Sequence, residues 1–352
     1  MSGEKMIAAV YHGPNDLRIE QVPVPGVGPG ELLVRVVDAS ICGTDLRIFH
    51  GDHRKFPPGT VRIPGHEVVG DIAAVGAGLA GYTLGQRVFV APNMGCGHCR
   101  QCVSGNNNLC ANYDAIGVTI DGGFAQYVRI PTNSVQQGNV IPVSRSVDPA
   151  VAALLEPFAC VLRGQNALHI QPGEIVLVMG AGPIGVMHTK LARARGAGRV
   201  IVSEPIPDRA SQILRMGADR VVNPAAENLR AVLDEESGGL GADVIIIAAP
   251  VHAAQESAVN LAAIGGRINF FGGLPKDRPS ITLDSNQVHY KELVITGTTA
   301  CSTADCWQAT RMVNTGLIDL SDLVSQRFPL TAAVEAFTAA EDRKSLKIVL
   351  EP

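Results

Sequence analysis

Short runs of apolar residues, broken by glycine and proline, fill the first 150 residues of the chain. Several runs alternate apolar with polar positions, which is the pattern of half-buried β-strands. Short strands separated by turn residues predict a barrel-like β domain. The strands are predicted at 6–12, 31–41, 67–77, 86–92 and 124–130.

The pattern changes near residue 146. From there, near-continuous apolar runs alternate with segments whose apolar residues have helical spacing. Buried strands alternating with helices are typical of a doubly wound parallel sheet, so we predict an α/β fold class. The strands are predicted at 174–180, 199–205, 219–223, 242–250 and 266–273.

Beyond about residue 290 the chain returns to mixed character, with a predicted helix around 303–315 and a final strand, LKIVLEP. We expect the two ends of the chain to form one domain, with the α/β unit inserted between them. The predicted boundaries are 1–150 for the first part of the β domain, 151–290 for the α/β domain and 291–352 for the return to the β domain.

Composition allows two large cores, since 46% of the 352 residues are hydrophobic and 18% are charged. The net charge of −4 and the lack of a basic stripe argue against nucleic acid as a partner. The apolar runs are too short to span a bilayer, and the segment MSGEKMIAAV lacks the apolar core of a signal peptide. We therefore expect a cytoplasmic protein with no membrane partner.

A compact cysteine cluster follows the spacing C-x2-C-x2-C-x7-C and consists of Cys96, Cys99, Cys102 and Cys110. Four thiolates this close can surround one ion tetrahedrally, as a closed structural zinc site requires. A disulfide framework is the first alternative, although a reducing compartment disfavours it. An iron–sulfur cluster is the second, although a ferredoxin-type run has its fourth cysteine three residues on, followed by proline. We predict structural zinc.

A glycine-rich motif, G-x-G-x-x-G, lies between an apolar strand and a helix in VLVMGAGPIG, which is the setting of a dinucleotide-binding turn. Gly180 allows the turn, Gly182 lets a pyrophosphate approach the backbone, and Gly185 lets the helix pack against the strand. Glu204 ends the next strand, and its carboxylate favours NAD by repelling a 2′-phosphate. Arg209 argues for NADP if its loop folds back. The predicted cofactor-binding residues are Gly180, Gly182, Pro183, Ile184, Gly185, Glu204 and Arg209.

Three other fragments offer metal ligands. ICGTD supplies Cys42, and PGHEVVG supplies His66 and Glu67. LLEPFA supplies Glu156 at a predicted helix start. A thiolate, an imidazole and a carboxylate with one open position make a catalytic zinc site. The remaining cysteines are predicted to be core thiols: Cys160, Cys301 and Cys306.

Over nearly its whole length the chain resembles the zinc-dependent medium-chain dehydrogenases. The elements that carry the resemblance are Cys42-Gly-Thr-Asp, Gly65-His66-Glu67, the cysteines of 96–110, Glu156-Pro157 and Gly180-x-Gly182-x-x-Gly185. The resemblance implies a GroES-like β-barrel domain with a Rossmann domain, two zinc ions per chain, NAD, a small-molecule alcohol substrate and a homotetramer or homodimer. A glutamate at position 156 makes the chain resemble the polyol (sorbitol-like) and threonine dehydrogenase branch of the family.

The resemblance also implies a role for each residue of the site. Cys42 and His66 would bind the catalytic zinc directly. Glu67 would lie beside the metal or exchange with a ligand, and Glu156 would act directly or through water. Thr44 would accept the alcohol proton.

One position departs from the pattern, because Arg47 stands five residues after Cys42, where polyol and threonine relatives commonly carry histidine. The usual proton relay is therefore in question. His50 or His53 could replace it, or Arg47 could bind a phosphate or carboxylate of the substrate or cofactor. A partly exposed loop arginine is the simplest alternative.

We therefore predict a zinc- and NAD-dependent dehydrogenase that oxidises a secondary alcohol of a polyol, sugar or cyclitol to a ketone. L-Threonine 3-dehydrogenase is the alternative enzyme. A zinc-stabilised binding protein without catalysis is the alternative from another class.

Overall fold

The computed structural model describes residues 4–342 and 344–352. The chain divides into two compact units, Met1–Ala159 with Cys301–Pro352, and Cys160–Ala300. The predicted boundaries after 150 and after 290 fall within ten residues of these divisions. No helix in the described ranges combines the length and the apolar character that a bilayer span requires.

The first unit begins with nine strands and four helices, and a fifth helix leads into the second unit. The strands are β1 (Lys5–Gly13), β2 (Asp16–Pro23), β3 (Leu32–Ser40), β4 (Glu67–Val75), β5 (Arg87–Val90), β6 (Asn93–Met94), β7 (Asp114–Ala115), β8 (Tyr127–Ile130) and β9 (Val140–Pro142). The helices are α1 (Gly43–Phe49), α2 (Arg100–Val103), α3 (Thr132–Gln136), α4 (Pro149–Ala153) and α5 (Leu155–Asn166). A short 3₁₀ turn covers Asn107–Leu109.

The second unit alternates strands with helices. The strands are β10 (Ile175–Met179), β11 (Arg199–Ser203), β12 (Arg220–Val222), β13 (Ala242–Ile247), β14 (Ala262–Phe270) and β15 (Val294–Gly297). The helices are α6 (Pro183–Ala194), α7 (Pro207–Arg215), α8 (Leu229–Ser237), α9 (His252–Leu261) and α10 (Ser285–Tyr290). All neighbours in the order β12-β11-β10-β13-β14-β15 are parallel. This is the doubly wound order, whose central strands are apolar because helices cover both faces.

The chain then returns to the first unit through α11 (Thr303–Asn314), β16 (Val324–Pro329), α12 (Ala333–Glu341) and β17 (Lys347–Glu351), with 3₁₀ turns at Ser321–Leu323 and Leu330–Ala332. Strand β17 pairs antiparallel with β3 and parallel with β16. The resulting sheet has the order β16-β17-β3-β4-β5-β9, with β8 also on β3. The predicted fold class, a β domain with a doubly wound parallel sheet, is confirmed.

Each unit has its own core. In the first, Phe124 and Phe337 meet edge-on at 5.8 Å between ring centroids, and both are buried. In the second, Leu177, Ile245 and Ile268 pack from neighbouring strands and are fully buried. Burial of these side chains stabilises both sheets, by about 25 cal/mol for each Å² of apolar surface removed from water.

Candidate metal centres and nucleotide site

The four-cysteine cluster comes together in a lobe between β6 and β7. The ligand atoms of Cys96, Cys99, Cys102 and Cys110 all lie within 4.8 Å of one another. Cys99 Sγ lies 3.5 Å from Cys102 Sγ and 3.7 Å from Cys110 Sγ. Tetrahedral zinc with Zn–S bonds of ~2.3 Å separates its sulfurs by ~3.8 Å, so the donor set fits zinc. None of the eight cysteines, all of which the structure describes, is in a disulfide.

The thiols of this lobe differ in acidity. The backbone N–H groups of His98 and Cys99 lower the pKa of Cys96 to about 6. Burial and neighbouring thiols raise the pKa of Cys102 to about 12. Thiolates in one small site repel each other, so a cation is required for all four to ionise together.

Side-chain amides connect the cysteine lobe to the rest of the first unit. Asn133 and Gln137, on and just after α3, both donate to the carbonyl of Gly95, at 2.9 and 2.7 Å. Gln137 Oε1 also accepts from the Gly95 N–H at 3.1 Å. Asn107 Nδ2 donates to the carbonyl of Asn93 at 2.8 Å. The lobe is therefore held from two sides.

A second group of ligand atoms, also within 4.8 Å of one another, comes from Cys42, His66 and Glu67. Sheet register explains their proximity, because Ser40 at the end of β3 pairs with Glu67 at the start of β4. Cys42 follows β3 as the N-cap of α1, and His66 directly precedes β4. His66 and Glu67 are buried and Cys42 is partly buried.

Asp45 contacts two members of this group, Cys42 and His66. Its Oδ2 accepts from the Cys42 N–H at 2.9 Å, and its Oδ1 lies 3.2 Å from His66 Nδ1. Burial lowers the pKa of His66, but the charges of Asp45 and Cys42 outweigh it and raise that pKa well above its usual range. An Nδ1–H held by a carboxylate leaves Nε2 free as a metal ligand.

Glu67 has a cationic partner that sequence reasoning missed. Lys347 Nζ, on β17, lies 2.5 Å from Glu67 Oε2 and donates to the Ile41 carbonyl at 2.9 Å. Ser40 Oγ donates to the same carboxylate oxygen. Glu67 Oε1 is buried and accepts no hydrogen bond from the described residues, so it fits a metal or a metal-bound group. Burial raises the pKa of Glu67, and Lys347 opposes the shift. The sequence feature that could have indicated this partner is a lysine within the otherwise apolar strand LKIVLE.

Glu156 lies outside the 4.8 Å group of Cys42, His66 and Glu67. It is on the first turn of α5, is 7% exposed, and its Oε1 is 3.8 Å from Cys301 Sγ. Cys301 Sγ is in turn 3.5 Å from Cys306 Sγ. Direct or water-mediated coordination by Glu156 therefore stays a prediction.

Thr44 and Arg47 lie one turn apart on α1, and Arg47 Nη2 donates to Thr44 Oγ1 at 3.0 Å. His50 is paired with Glu341 at 2.6 Å and with Asn15 at 2.9 Å. His53 is half-buried, and burial followed by the charge of Arg47 lowers its pKa to about 4. Arg47 is thus a helical residue in contact with the predicted relay hydroxyl.

The glycine-rich turn of the second unit links β10 to α6. Gly180 has φ +110°, which favours glycine, and a Cβ on Gly185 would overlap the Gly180 carbonyl oxygen. Gly182 is the N-cap of α6, and Pro183 and Ile184 start the helix. Backbone N–H groups therefore point out of the helix start, where a phosphate can bind.

Glu204 follows β11 and is 4% exposed. Its Oε2 accepts from the Ala181 N–H at 2.7 Å, and its Oε1 accepts from the Ile206 N–H at 2.9 Å. The carboxylate therefore holds the glycine-rich turn, and each oxygen keeps a lone pair for a ligand hydroxyl. Arg209 lies in the first turn of α7.

Comparison with known proteins identifies the family. Residues 28–142 match the family described as alcohol dehydrogenase GroES-like domain, and residues 183–315 match the family described as zinc-binding dehydrogenase. The chain belongs to the zinc-dependent medium-chain dehydrogenases. The predicted family, GroES-like and Rossmann fold class and dehydrogenase activity are confirmed, so the alternative of a zinc-stabilised binding protein is set aside.

Individual relatives cover nearly the whole chain. L-Threonine 3-dehydrogenase of Yersinia pestis (strain Pestoides F) is 33% identical over 338 residues, which are 94% of each chain. A putative zinc-binding dehydrogenase from Sinorhizobium meliloti 1021, bound to NADP, is 30% identical with a TM-score of 0.90 over 99% of this chain and 100% of that one. A short chain alcohol dehydrogenase from E. coli CFT073, complexed with NADH, is 28% identical with a TM-score of 0.90 at the same coverage.

Proposed function

We propose that this dehydrogenase oxidises a secondary alcohol of a polyol, sugar or cyclitol to a ketone with NAD. The observation that carries the proposal is the close group of Cys42, His66 and Glu67, in which Asp45 accepts from the Cys42 N–H and lies within hydrogen-bond distance of His66 Nδ1. A thiolate and an oriented imidazole beside a carboxylate suit a zinc ion that keeps a position open for substrate.

Cys42 and His66 would hold the catalytic zinc, and Glu156 would complete the set directly or through water. Bound zinc supplies a Lewis acid that makes an alcohol hydroxyl more acidic, and bound NAD supplies the hydride acceptor. Lys347 and Ser40 hold one oxygen of Glu67, which fixes its carboxylate beside the ligands. Thr44 Oγ1 would accept the proton of the alcohol hydroxyl while the threonine's own hydroxyl proton passes to water.

NAD is favoured over NADP by Glu204. Its buried carboxylate lies against the Ala181 N–H of the glycine-rich turn, where a 2′-phosphate would meet a like charge. One similar structure is bound to NADP and another is complexed with NADH, so the family relationship leaves both cofactors open. We expect kcat/KM for NAD to exceed that for NADP, and equal values would remove the argument from Glu204.

L-Threonine is the second candidate substrate, because the curated relative at 33% identity is an L-threonine 3-dehydrogenase. NADH formation on a panel of polyols, sugar phosphates and L-threonine separates the candidates. Turnover of L-threonine without turnover of any polyol would contradict our first choice.

Metal content tests the assignment of both centres. We expect two zinc ions per chain, one at Cys96, Cys99, Cys102 and Cys110 and one at the group of Cys42. Cys42→Ser should leave the single ion of the four cysteines, so a variant that still holds two ions would contradict a metal at Cys42. A homotetramer or homodimer also stays a prediction, and light scattering of the purified protein tests it.

A further inference from the structure

A fixed positive charge lies beside the hydroxyl that we propose as the acceptor of the alcohol proton. Arg47 is three residues after Thr44 on α1, and its Nη2 donates to Thr44 Oγ1 at 3.0 Å. Arginine stays protonated at every working pH, so Arg47 cannot carry a proton as the histidine of relatives would. We therefore look for a function of Arg47 that depends on its positive charge.

Among the described residues, the side-chain hydrogen bond of Arg47 goes to Thr44, which is uncharged. The nearest acid along its own helix, Asp45, uses both oxygens on Cys42 and His66. An exposed guanidinium in contact with the proposed relay hydroxyl is suited to a planar oxyanion, which its fork of N–H groups can bind.

We propose that Arg47 binds a carboxylate or phosphate that the substrate carries close to the reacting carbinol. This inference rests on the proposed secondary-alcohol oxidation and restricts its substrates to alcohols that also carry a carboxylate or phosphate. One hydrogen bond of about 3 Å joins Thr44 to Arg47, and one of similar length would join Thr44 to the alcohol. The anionic group is therefore attached one or two carbons from the carbinol, as in a 2- or 3-hydroxy acid.

The cofactor is the other source of an oxyanion, since NAD carries a pyrophosphate. We assign the anion to the substrate because the hydrogen bond of Arg47 goes to Thr44, the hydroxyl proposed to accept the substrate's proton. The two sources are separable by experiment, since one changes the KM for the alcohol and the other the KM for NAD.

The test compares matched acid and neutral alcohols on the zinc-loaded enzyme. The pairs are D-gluconate with D-glucitol, other aldonates with their alditols, and 3-hydroxybutanoate with 1,3-butanediol. The variants are Arg47→Met, Arg47→Lys and the control Arg54→Met, which removes an exposed arginine from the same basic segment. Loss of the bond to Thr44 acts on both members of a pair, so the ratio of their kcat/KM values isolates the effect of charge.

We expect wild type to prefer the acid in at least one pair and Arg47→Met to reduce that preference by about tenfold, the usual size of one charge-assisted contact. Arg47→Lys should keep part of the preference. Arg54→Met should change it by less than about twofold, because only long-range attraction is lost. The KM for NAD should stay within about twofold in all three variants.

Three results would overturn the inference: wild type that prefers the neutral member of every pair, an equal loss on both members in Arg47→Met, or an increase confined to the KM for NAD. Equilibrium binding of D-gluconate and 3-hydroxybutanoate, measured by NMR without turnover, separates the inference from the proposed function. Binding that weakens about tenfold in Arg47→Met would support the inference even if every pair fails to react. If no acid binds more weakly to Arg47→Met than to wild type and none reacts, the inference is wrong.

Discussion

Lys347 Nζ lies 2.5 Å from Glu67 Oε2, with the lysine 4% exposed and the glutamate fully buried. The pair joins the last strand of the chain to the strand that begins beside His66. Removing two charges from water is costly, and the cost is offset only when each charge keeps its partners. Lys347 has the Ile41 carbonyl as a second partner, and Glu67 has Ser40.

Replacement of Lys347 by methionine should destabilise the first unit by about 3 kcal/mol, since it leaves Glu67 buried without its cation. The variant should also lose zinc from the group of Cys42 more readily, because Glu67 is then free to protonate or to move. Thermal unfolding and zinc content after mild chelation measure the two effects.

Lys344→Met is the matched control, because Lys344 is exposed and three residues earlier in the chain. It should change neither quantity appreciably. Equal unfolding midpoints and equal zinc retention in Lys347→Met and Lys344→Met would contradict the structural role of the buried pair.

His188, on α6 of the second unit, should make stability depend on pH. It is fully buried against Gln165, and burial lowers its pKa to about 3. The unfolded chain, with a histidine pKa near 6.5, binds the proton more readily, so the stabilisation is complete above about pH 6.5 and is lost progressively as pH falls toward 3. From pH 7 to pH 5 we expect a loss of about 2 kcal/mol from this residue.

Urea unfolding at pH 5, 6 and 7 measures this dependence. His188→Leu removes the titrating group and should flatten the curve, whatever its effect on stability at pH 7. His289→Gln removes an exposed histidine and should leave the slope unchanged. The same slope in wild type and His188→Leu would show that other groups cause the acid sensitivity.

Sequence alone predicts what depends on spacing, and the folded sheet decides the rest. The four cysteines lie within one lobe, so their proximity follows from the sequence directly. Lys347 reaches Glu67 because β17 pairs with β3, a contact between the two ends of the chain. The contact of Arg47 with Thr44 depends on α1, a helix that the sequence analysis does not predict. Glu156 beside Cys301 likewise depends on packing between distant segments.

Loss of the structural metal should lower stability before it lowers the rate of hydride transfer. Cys99→Ser removes one of four sulfurs and should reduce zinc from two ions per chain to one, with a lower thermal midpoint. At a temperature where the variant is still folded, kcat should stay within about threefold of wild type, because the catalytic group uses other residues. Ser104→Ala, an exposed change in the same lobe, should keep both ions and the midpoint. A variant with full stability but abolished kcat would contradict a structural role.

Alanine substitutions at two glycines of the nucleotide turn, Gly182 and Gly185, should have different effects. A Cβ on Gly185 would overlap the carbonyl oxygen of Gly180, whereas a Cβ on Gly182 would meet no atom of the described protein within 4 Å. Gly185→Ala should therefore destabilise the second unit, by about 2 kcal/mol or more as overpacking does. Gly182→Ala should keep the thermal midpoint and weaken NAD binding about tenfold or more, because its methyl group lies where the pyrophosphate approaches the backbone. Thermal unfolding without cofactor and a fluorescence titration with NADH separate the two effects.

A loss of stability in Gly182→Ala equal to that in Gly185→Ala would mean that the turn has only a packing role.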